Sequence, residues 1–398
     1  MITHHGDRSM FENSALFNRT ARTLALTTAL AALTACSSTQ TSDRPEDADS
    51  ESSAAAPVAR STGWDINHEG WAELGYQWEW TGYPPLADNA YIEHATAYDD
   101  MLTFIGSGST LSVLEANTGK VRWSRQIDRS TTRFVEPVRR DETLFVASDT
   151  ELWELNLRNG NTIDRDSLGT LVNTSPLLMG NLAIFGTLSG ELFAYQIEND
   201  FKLWSYKFDG PIHQAAIQVG DNLIAAISEN GEIRTLSATN AHTGMSTRIA
   251  GGSDTALITD YVGIYVASMD QSLYAFDIND GYRFWRIRSS APVSVQHTLH
   301  EGVLYASTRD QGLMAVDSAT GDVIWNNTEI GGWVLTVAND AELIVYSGFE
   351  MLAIDKERGD IIARTPISNI AGVRTDSISD GNVYVITLDG GVAKFGLR

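Results

Sequence analysis

Cysteine is almost missing from this chain of 398 residues, where Cys36 stands alone. One thiol excludes an intrachain disulfide framework and every zinc or iron–sulfur site built on clustered cysteines. Lysine is scarce too: Lys120, Lys202, Lys207, Lys356 and Lys394 leave arginine to supply most of the positive charge. Lys and Arg total 28 against 51 Asp and Glu, a formal charge of −23. That sign argues against nucleic acid, whose affinity rests on phosphate neutralisation by basic groups. No apolar run reaches the roughly 20 residues that a helix needs to cross a bilayer. Neither a Gly-x-x-x-x-Gly-Lys phosphate loop nor a Gly-x-Ser-x-Gly nucleophile elbow occurs. The eight histidines are scattered, and the pair spaced by three, His297 and His300, falls on opposite faces of a strand.

What is present begins with an address. Arg8, Arg19 and Arg22 outweigh Asp7 and Glu12 ahead of a short apolar run from Thr23 to Leu33, closed by small residues. This is the layout of a secretory signal peptide over residues 1–35, with Met10 as an alternative start. The sequence Leu33-Thr34-Ala35-Cys36 resembles the lipobox of bacterial lipoproteins, which implies a lipidated Cys36 as the first mature residue. In such lipoproteins the next residue sorts the protein, and Ser37 in place of Asp implies the outer membrane. Residues 36–63 are Ser, Thr, Ala, Pro and acidic side chains, too poor in large apolar groups to offset the entropy of ordering. They read as a flexible tether, leaving residues 64–398 as the body.

The body is a repeat. Apolar positions at 111, 152, 192, 233, 273, 313, 351 and 392 recur with spacings of 38 to 41 residues. The clearest copies run Leu273-Tyr-Ala275-Phe-Asp277, Gly281, Trp285 and Leu313-Met-Ala315-Val-Asp317, Gly321, Trp325. Trp123 and Trp204 keep the same offset, whereas Asp164, Met245 and Ala363 stand where other copies carry Trp. A period near 40 is the length of four short strands with turns, one blade of a β-propeller. Alternations such as Val383-Tyr384-Val385, bounded by Asp380-Gly381 and Asp389-Gly390, support strands and tight turns. The last copy ends before its Trp, and an orphan strand-like run, Tyr76-Gln77-Trp78-Glu79-Trp80, precedes the first. The expectation is an all-β, eight-bladed propeller whose N-terminal strand closes the last blade, or seven blades if one weak copy is irregular. Trp80, Trp123, Trp204, Trp285 and Trp325, with Asp277, Asp317, Gly281 and Gly321, are read as structural docking residues: ring, turn cap and permissive turn.

The unit Ala-x-Asp-x-x-x-Gly-x-x-x-Trp resembles the tryptophan-docking motif of quinoprotein-type, or PQQ-like, propellers. That group includes PQQ-dependent dehydrogenases and the BamB family of outer-membrane assembly lipoproteins. The order of lipobox, tether, orphan Trp strand and eight copies is similar to the BamB family over roughly 64–398. The resemblance implies a lipid-anchored scaffold at the periplasmic face of the outer membrane, with no catalytic centre, cofactor or metal. It also implies docking on the POTRA domains of a BamA-like barrel subunit, association with other subunits of the assembly machinery, and contact with unfolded outer-membrane proteins. In that family the contacts come from loops after the third and fourth docking motifs. Here those loops are Asp209–Gln214, without Arg, and Gly251–Thr255, with Asp254 alone, so no partner-binding residue is carried over.

Two other classes share the ring. A PQQ dehydrogenase needs a calcium-bound quinone and usually a vicinal cysteine pair, which a single cysteine cannot supply. Asp270 and Asp310 sit beside repeat turns and read as solvated turn caps. A propeller binding a polysaccharide or an adhesion target would carry the same repeats.

Overall fold

Short strands of β-branched and aromatic residues, each stopped by a Gly, Asn or Asp turn, pair with their sequence neighbours. In the computed structural model, which describes residues 64–87 and 90–398, each repeat forms one four-stranded antiparallel sheet. Eight such sheets make an eight-bladed propeller. The blade containing Leu313 shows the plan: Thr298–His300, Val303–Thr308, Gly312–Asp317 and Val323–Asn327 pair in chain order, from the inner to the outer strand. The two middle strands of a blade are covered on both faces, by the blades before and after it. Their sequences are therefore continuously buried, as in Val303–Thr308 and Gly312–Asp317, rather than alternating. The signal peptide, Cys36 and the tether lie outside the described residues.

The ring closes through its N-terminal strand. Strand β1 (Tyr76–Gly82) pairs antiparallel with Val392–Leu397, so the eighth blade combines the first strand of the body with the last three. A bulge between Trp78 and Trp80 shifts the register and directs the second indole toward blade 1.

Ahead of β1 lies an element that periodicity did not announce. Helix α1 (His68–Glu73) is capped by the Asn67 side chain, which accepts from the Gly70 amide at 3.1 Å. It ends at Gly75, whose φ of 81° suits glycine. Its Trp71 is buried and stacks on Phe395 at a centroid separation of 3.6 Å. The Asn67 Nδ2 donates to Thr365 Oγ1 at 3.1 Å, tying the helix to the outer strand of blade 7. Six residues are too few to display a 3.6-residue period, which is why the helix was not foreseen.

The two neighbouring histidines separate as expected. His300 places Nε2 3.2 Å from Ser379 Oγ in blade 8. His297 is fully buried between blades 5 and 6, with Nε2 3.3 Å from the Tyr265 carbonyl and Nδ1 without a hydrogen-bond partner. Burial lowers its pKa from 6.5 to about 4. The unfolded chain therefore takes up a proton that the folded ring refuses, and stability falls as pH drops from about 6.5 toward 4. Chemical denaturation of wild type and His297→Gln at pH 7 and pH 5 checks this. The wild type is expected to lose about 2 kcal/mol more than the variant between the two pH values.

Candidate functional site

The candidate surfaces depend on how the blades are held, so the junctions come first. At five of the eight junctions a Trp on the outer strand of one blade donates its indole N–H to a backbone carbonyl of the next. Trp80 reaches Ala116 at 3.0 Å, Trp123 reaches Leu157 at 2.8 Å and Trp204 reaches Ala238 at 2.7 Å. Trp285 reaches Ser318 at 2.8 Å and Trp325 reaches Lys356 at 2.9 Å. Trp80, Trp285 and Trp325 are buried, while Trp123 and Trp204 are partly covered.

The accepting carbonyl belongs to the turn at the motif's Asp and Gly positions, which Asp317 with Gly321 and Asp355 with Gly359 fill opposite Trp285 and Trp325. Asp317 Oδ1 accepts from the amides of Ala319 and Thr320 at 3.0 and 2.8 Å, and these bonds help hold its carboxyl below the usual range. Asp277 makes the same cap with Asn279 at 2.7 Å. Gly321 has φ 78° and lies under the Trp285 ring, where a side chain would overlap the indole. Gly281 repeats the conformation, with Met245 in the place of the ring.

Three junctions depart from the pattern. Between blades 4 and 5, Met245 fills the ring's position. Between blades 7 and 8, Ala363 is small, and Trp71 of α1 joins the same apolar cluster. Between blades 2 and 3, Asp164 stands at the Trp position and Asp200 at the Gly position, in a left-handed conformation with φ 55°. These two and Asp166 form an acidic trio whose carboxylate oxygens lie within 4.8 Å of one another. Burial, followed by the charges of Asp164 and Asp200, raises the pKa of Asp166 to about 6. A second group, His300, Glu301 and Asp340, already holds a cation: Lys356 Nζ pairs with Asp340 and lies 3.1 Å from Glu301.

Successive antiparallel strands put the connections between blades and the middle turn of each blade on one face of the ring. On this loop face Leu171, Leu188, Phe349 and Leu388 are exposed by more than half, and Met269 by 39%. Sequence reasoning missed these side chains. Thr187-Leu-Ser-Gly190 and Thr387-Leu-Asp-Gly390 do share a spacing in which the Thr hydroxyl accepts the amide four residues on, at 2.8 Å, and tilts the Leu outward. The two loops after the third and fourth motifs adjoin, because Gln214 Nε2 donates to the Asp254 carbonyl at 2.9 Å. Asp270 and Asp310, expected to cap their own turns, reach the loops of the preceding blades. Asp270 accepts from Tyr274 Oη at 2.6 Å and weakly from the Ala250 amide at 3.4 Å, on the loop from blade 4. Asp310 accepts from Ser289 Oγ at 2.9 Å and the Ser290 amide at 3.1 Å, on the loop from blade 5.

On the opposite face the connection Asp376–Asn382 of blade 8 runs along blade 7. It forms a parallel bridge from Ser379 to Val337, donates the Asp380 amide to Val337 O at 2.9 Å, and reaches His300 of blade 6. A cleft of about 310 Å³ opens between blades 3 and 4, lined by Leu178, Met179, Gln218 and Asp221 among others.

The junction geometry makes two stability predictions, both read by chemical denaturation. Trp325→Ala is expected to cost about 3–5 kcal/mol, and Trp325→Phe, which keeps a ring but loses the donor, about 1–3 kcal/mol. The double change Asp164→Trp with Asp200→Gly rebuilds the common junction between blades 2 and 3 and is expected to stabilise the ring by about 1–2 kcal/mol.

With this geometry in hand, comparisons place the chain among known proteins. A family model described as outer membrane protein assembly factor BamB matches residues 53–287 and 256–397. Outer membrane protein assembly factor BamB of Shewanella oneidensis is 24% identical over 263 residues, covering 61% of this chain and 66% of that protein. The Bordetella pertussis protein of the same name is 24% identical over 167 residues, covering 40% of this chain and 42% of its own length. The matched stretches thus span just under two thirds and under half of these curated relatives. Among solved structures, BamB from Moraxella catarrhalis superposes with a TM-score of 0.64 at 15% identity, covering 81% of this chain and 98% of that one. The computationally designed Ika8 protein superposes with a TM-score of 0.64 at 12% identity, over 77% of this chain and 96% of its own. The fold is thus shared at low sequence identity, whereas the family match extends over nearly the whole body. The chain belongs to the outer membrane protein assembly factor BamB family of PQQ-like propellers.

Proposed function

We propose that this protein is a non-enzymatic scaffold of outer-membrane protein assembly, lipid-anchored through Cys36 at the periplasmic face of the outer membrane. In this reading residues 1–35 are removed as a lipoprotein signal peptide, and residues 36–63 tether the ring at 64–398. The tether keeps the ring near membrane partners and so raises their effective concentration. The ring offers its loop face to the POTRA domains of a BamA-like barrel subunit and to unfolded outer-membrane proteins, in company with the other assembly subunits.

The observation that carries this reading is the loop face itself. Leu171, Leu188, Phe349 and Leu388 stand exposed on one face, Leu188 and Leu388 on turns closed by Thr hydroxyls, in a protein whose family is named for assembly. Exposed apolar side chains on a preorganised scaffold favour protein contact, because little ordering entropy remains to be lost on binding. The enzyme alternative finds less support. The cleft between blades 3 and 4 offers Asp221 as its carboxylate, with Gln218, Leu178 and Met179 beside it.

Affinity purification of the tagged full chain from detergent-solubilised membranes tests the proposal. A POTRA-containing barrel protein is expected to co-purify with wild type and to fall at least about tenfold with Leu188→Glu plus Leu388→Glu, in keeping with the loss of interface anchors. Cys36→Ser is expected to move the protein from the membrane to the soluble fraction. Recovery of a polysaccharide or an unrelated surface protein, with no barrel subunit, would overturn the assembly reading.

A further inference from the structure

Charge is distributed unevenly over the ring. The eight outer strands carry ten Lys or Arg and three Asp or Glu, in a chain whose totals are 28 and 51. Basic side chains on exposed edges discourage edge-to-edge association, and in most blades neighbours neutralise them. Arg165 pairs with Glu151 at 2.7 Å, Lys202 with Glu191 at 3.0 Å and Arg248 with Asp209 at 2.5 Å. Arg122 lies 3.9 Å from Asp100 and Arg364 lies 4.0 Å from Glu350. Arg125 and Lys207 donate to the carbonyls of Gly160 and Ser189.

Blade 5 differs. Its outer strand reads Arg283-Phe284-Trp285-Arg286-Ile287-Arg288, and none of its three arginines forms an ion pair among the described residues. For Arg286 the cause is one position on the adjacent strand. Glu151 in blade 2 reaches Arg165 and Glu350 in blade 7 lies near Arg364, whereas Ser272 holds the equivalent position in blade 5 beside Arg286. The Ser272 hydroxyl instead accepts from Arg286 Nε and Nη2 at 2.9 and 2.8 Å, while that guanidinium lies 5.1 Å from the Tyr274 ring centroid. Arg286 is thus held in place by a hydroxyl and a ring, without a carboxylate at ion-pair distance. Arg283 and Arg288 are exposed at either end of the strand. Tyr282, 67% exposed, leads into the strand, and Tyr261 and Val262 stand exposed on the adjoining turn, whose Val262 carbonyl accepts the Ile278 amide at 3.2 Å.

We propose that the outer edge of blade 5, Tyr282–Arg288, is a docking strip for an extended acidic segment of a partner polypeptide, which adds to the blade as a fifth strand. The free edge supplies main-chain donors and acceptors, as in other strand additions. Arg286 and Arg288, two residues apart on one face, match carboxylates at alternate positions of the incoming strand. Tyr282 provides an aromatic anchor at the end of the strip, and Tyr and Arg are the residue types that dominate binding hot spots. The rest of the acidic surface repels such a segment and confines it to this edge. The strip is independent of the assembly role proposed above, since it is assayed on the purified protein alone.

The test is fluorescence anisotropy of the full chain in detergent with a labelled peptide that alternates Glu and Val. Saturable binding is expected, weakening as salt rises. Arg283→Gln plus Arg288→Gln is expected to weaken it by at least about tenfold, in line with the loss of interfacial charge pairs. Both residues are exposed, so the unfolding midpoint is expected to stay unchanged. Arg129→Gln plus Arg133→Gln, exposed in the loop between blades 1 and 2, is expected to bind like wild type. Equal binding of the matching Gln–Val peptide, undiminished binding by the blade 5 variant, or no binding at all would overturn the proposal.

Discussion

The indole N–H of a Trp on one blade and the backbone carbonyl it meets on the next are the contact on which the ring depends. A blade alone is a four-stranded sheet with both faces apolar, so its middle strands are buried only when flanked on each side. Dispersion between flat sheets sets no register, since one apolar surface slides over another at little cost. The indole supplies that register: it donates in one direction, to one carbonyl, over a turn with no side chain in the way. That is why a Gly lies beneath the ring of Trp80, Trp123, Trp285 and Trp325, while Ala241, with φ 56°, holds that position in the turn that Trp204 meets. At Trp285 and Trp325 an Asp shapes the turn as well, completing a device written within one period of about 40 residues.

Where the device is altered, the ring compensates in different ways. Met245 exchanges a directed bond for a flexible apolar filler. At the junction before the closing blade, a helix from outside the repeat brings Trp71 into the cluster containing Ala363. Between blades 2 and 3 Asp164 replaces the Trp and three carboxyls face one another, while Phe145, Phe185, Phe193 and Tyr195 share a buried cluster across the seam. Burial of Asp166, reinforced by the charges of Asp164 and Asp200, costs stability at neutral pH and is relieved as the pH falls through about 6, opposite in sign to the effect of the buried His297. The junctions are therefore chemically unequal around the circle.

Much of this architecture was legible in the sequence because the repeat is written in residues whose roles are local. The spacing of Leu273, Asp277, Gly281 and Trp285 names a strand, a turn and a ring in order, and eight copies count the blades. The orphan Trp80 strand was legible because the last copy lacked one. Features that depend on what lies across a gap were not legible. Helix α1 is too short to show a period, and its value comes from Phe395, more than three hundred residues away. Asp270 and Asp310 looked like caps of their own turns, since no local pattern tells which loop of the preceding blade passes over them. The exposed leucines of the loop face look in sequence like any turn residue. Arg286 of blade 5 becomes unusual only when Ser272 is seen to occupy the position that Glu holds in blades 2 and 7.

The closing strand has a consequence in time as well as in space. Strand β1 is the first strand of the body in chain order, yet its partner, Val392–Leu397, follows more than three hundred residues later. Until that partner is in place, the ring is an open arc with an unpaired strand at its start and a growing edge at its end. Blades can form one after another as they emerge, because each is local in sequence. Closure must wait for Val392–Leu397, and it seals a loop of more than three hundred residues. A truncated chain, even one short by a single strand, is thus left with two complementary open ends, and these can pair with a second chain as readily as with each other.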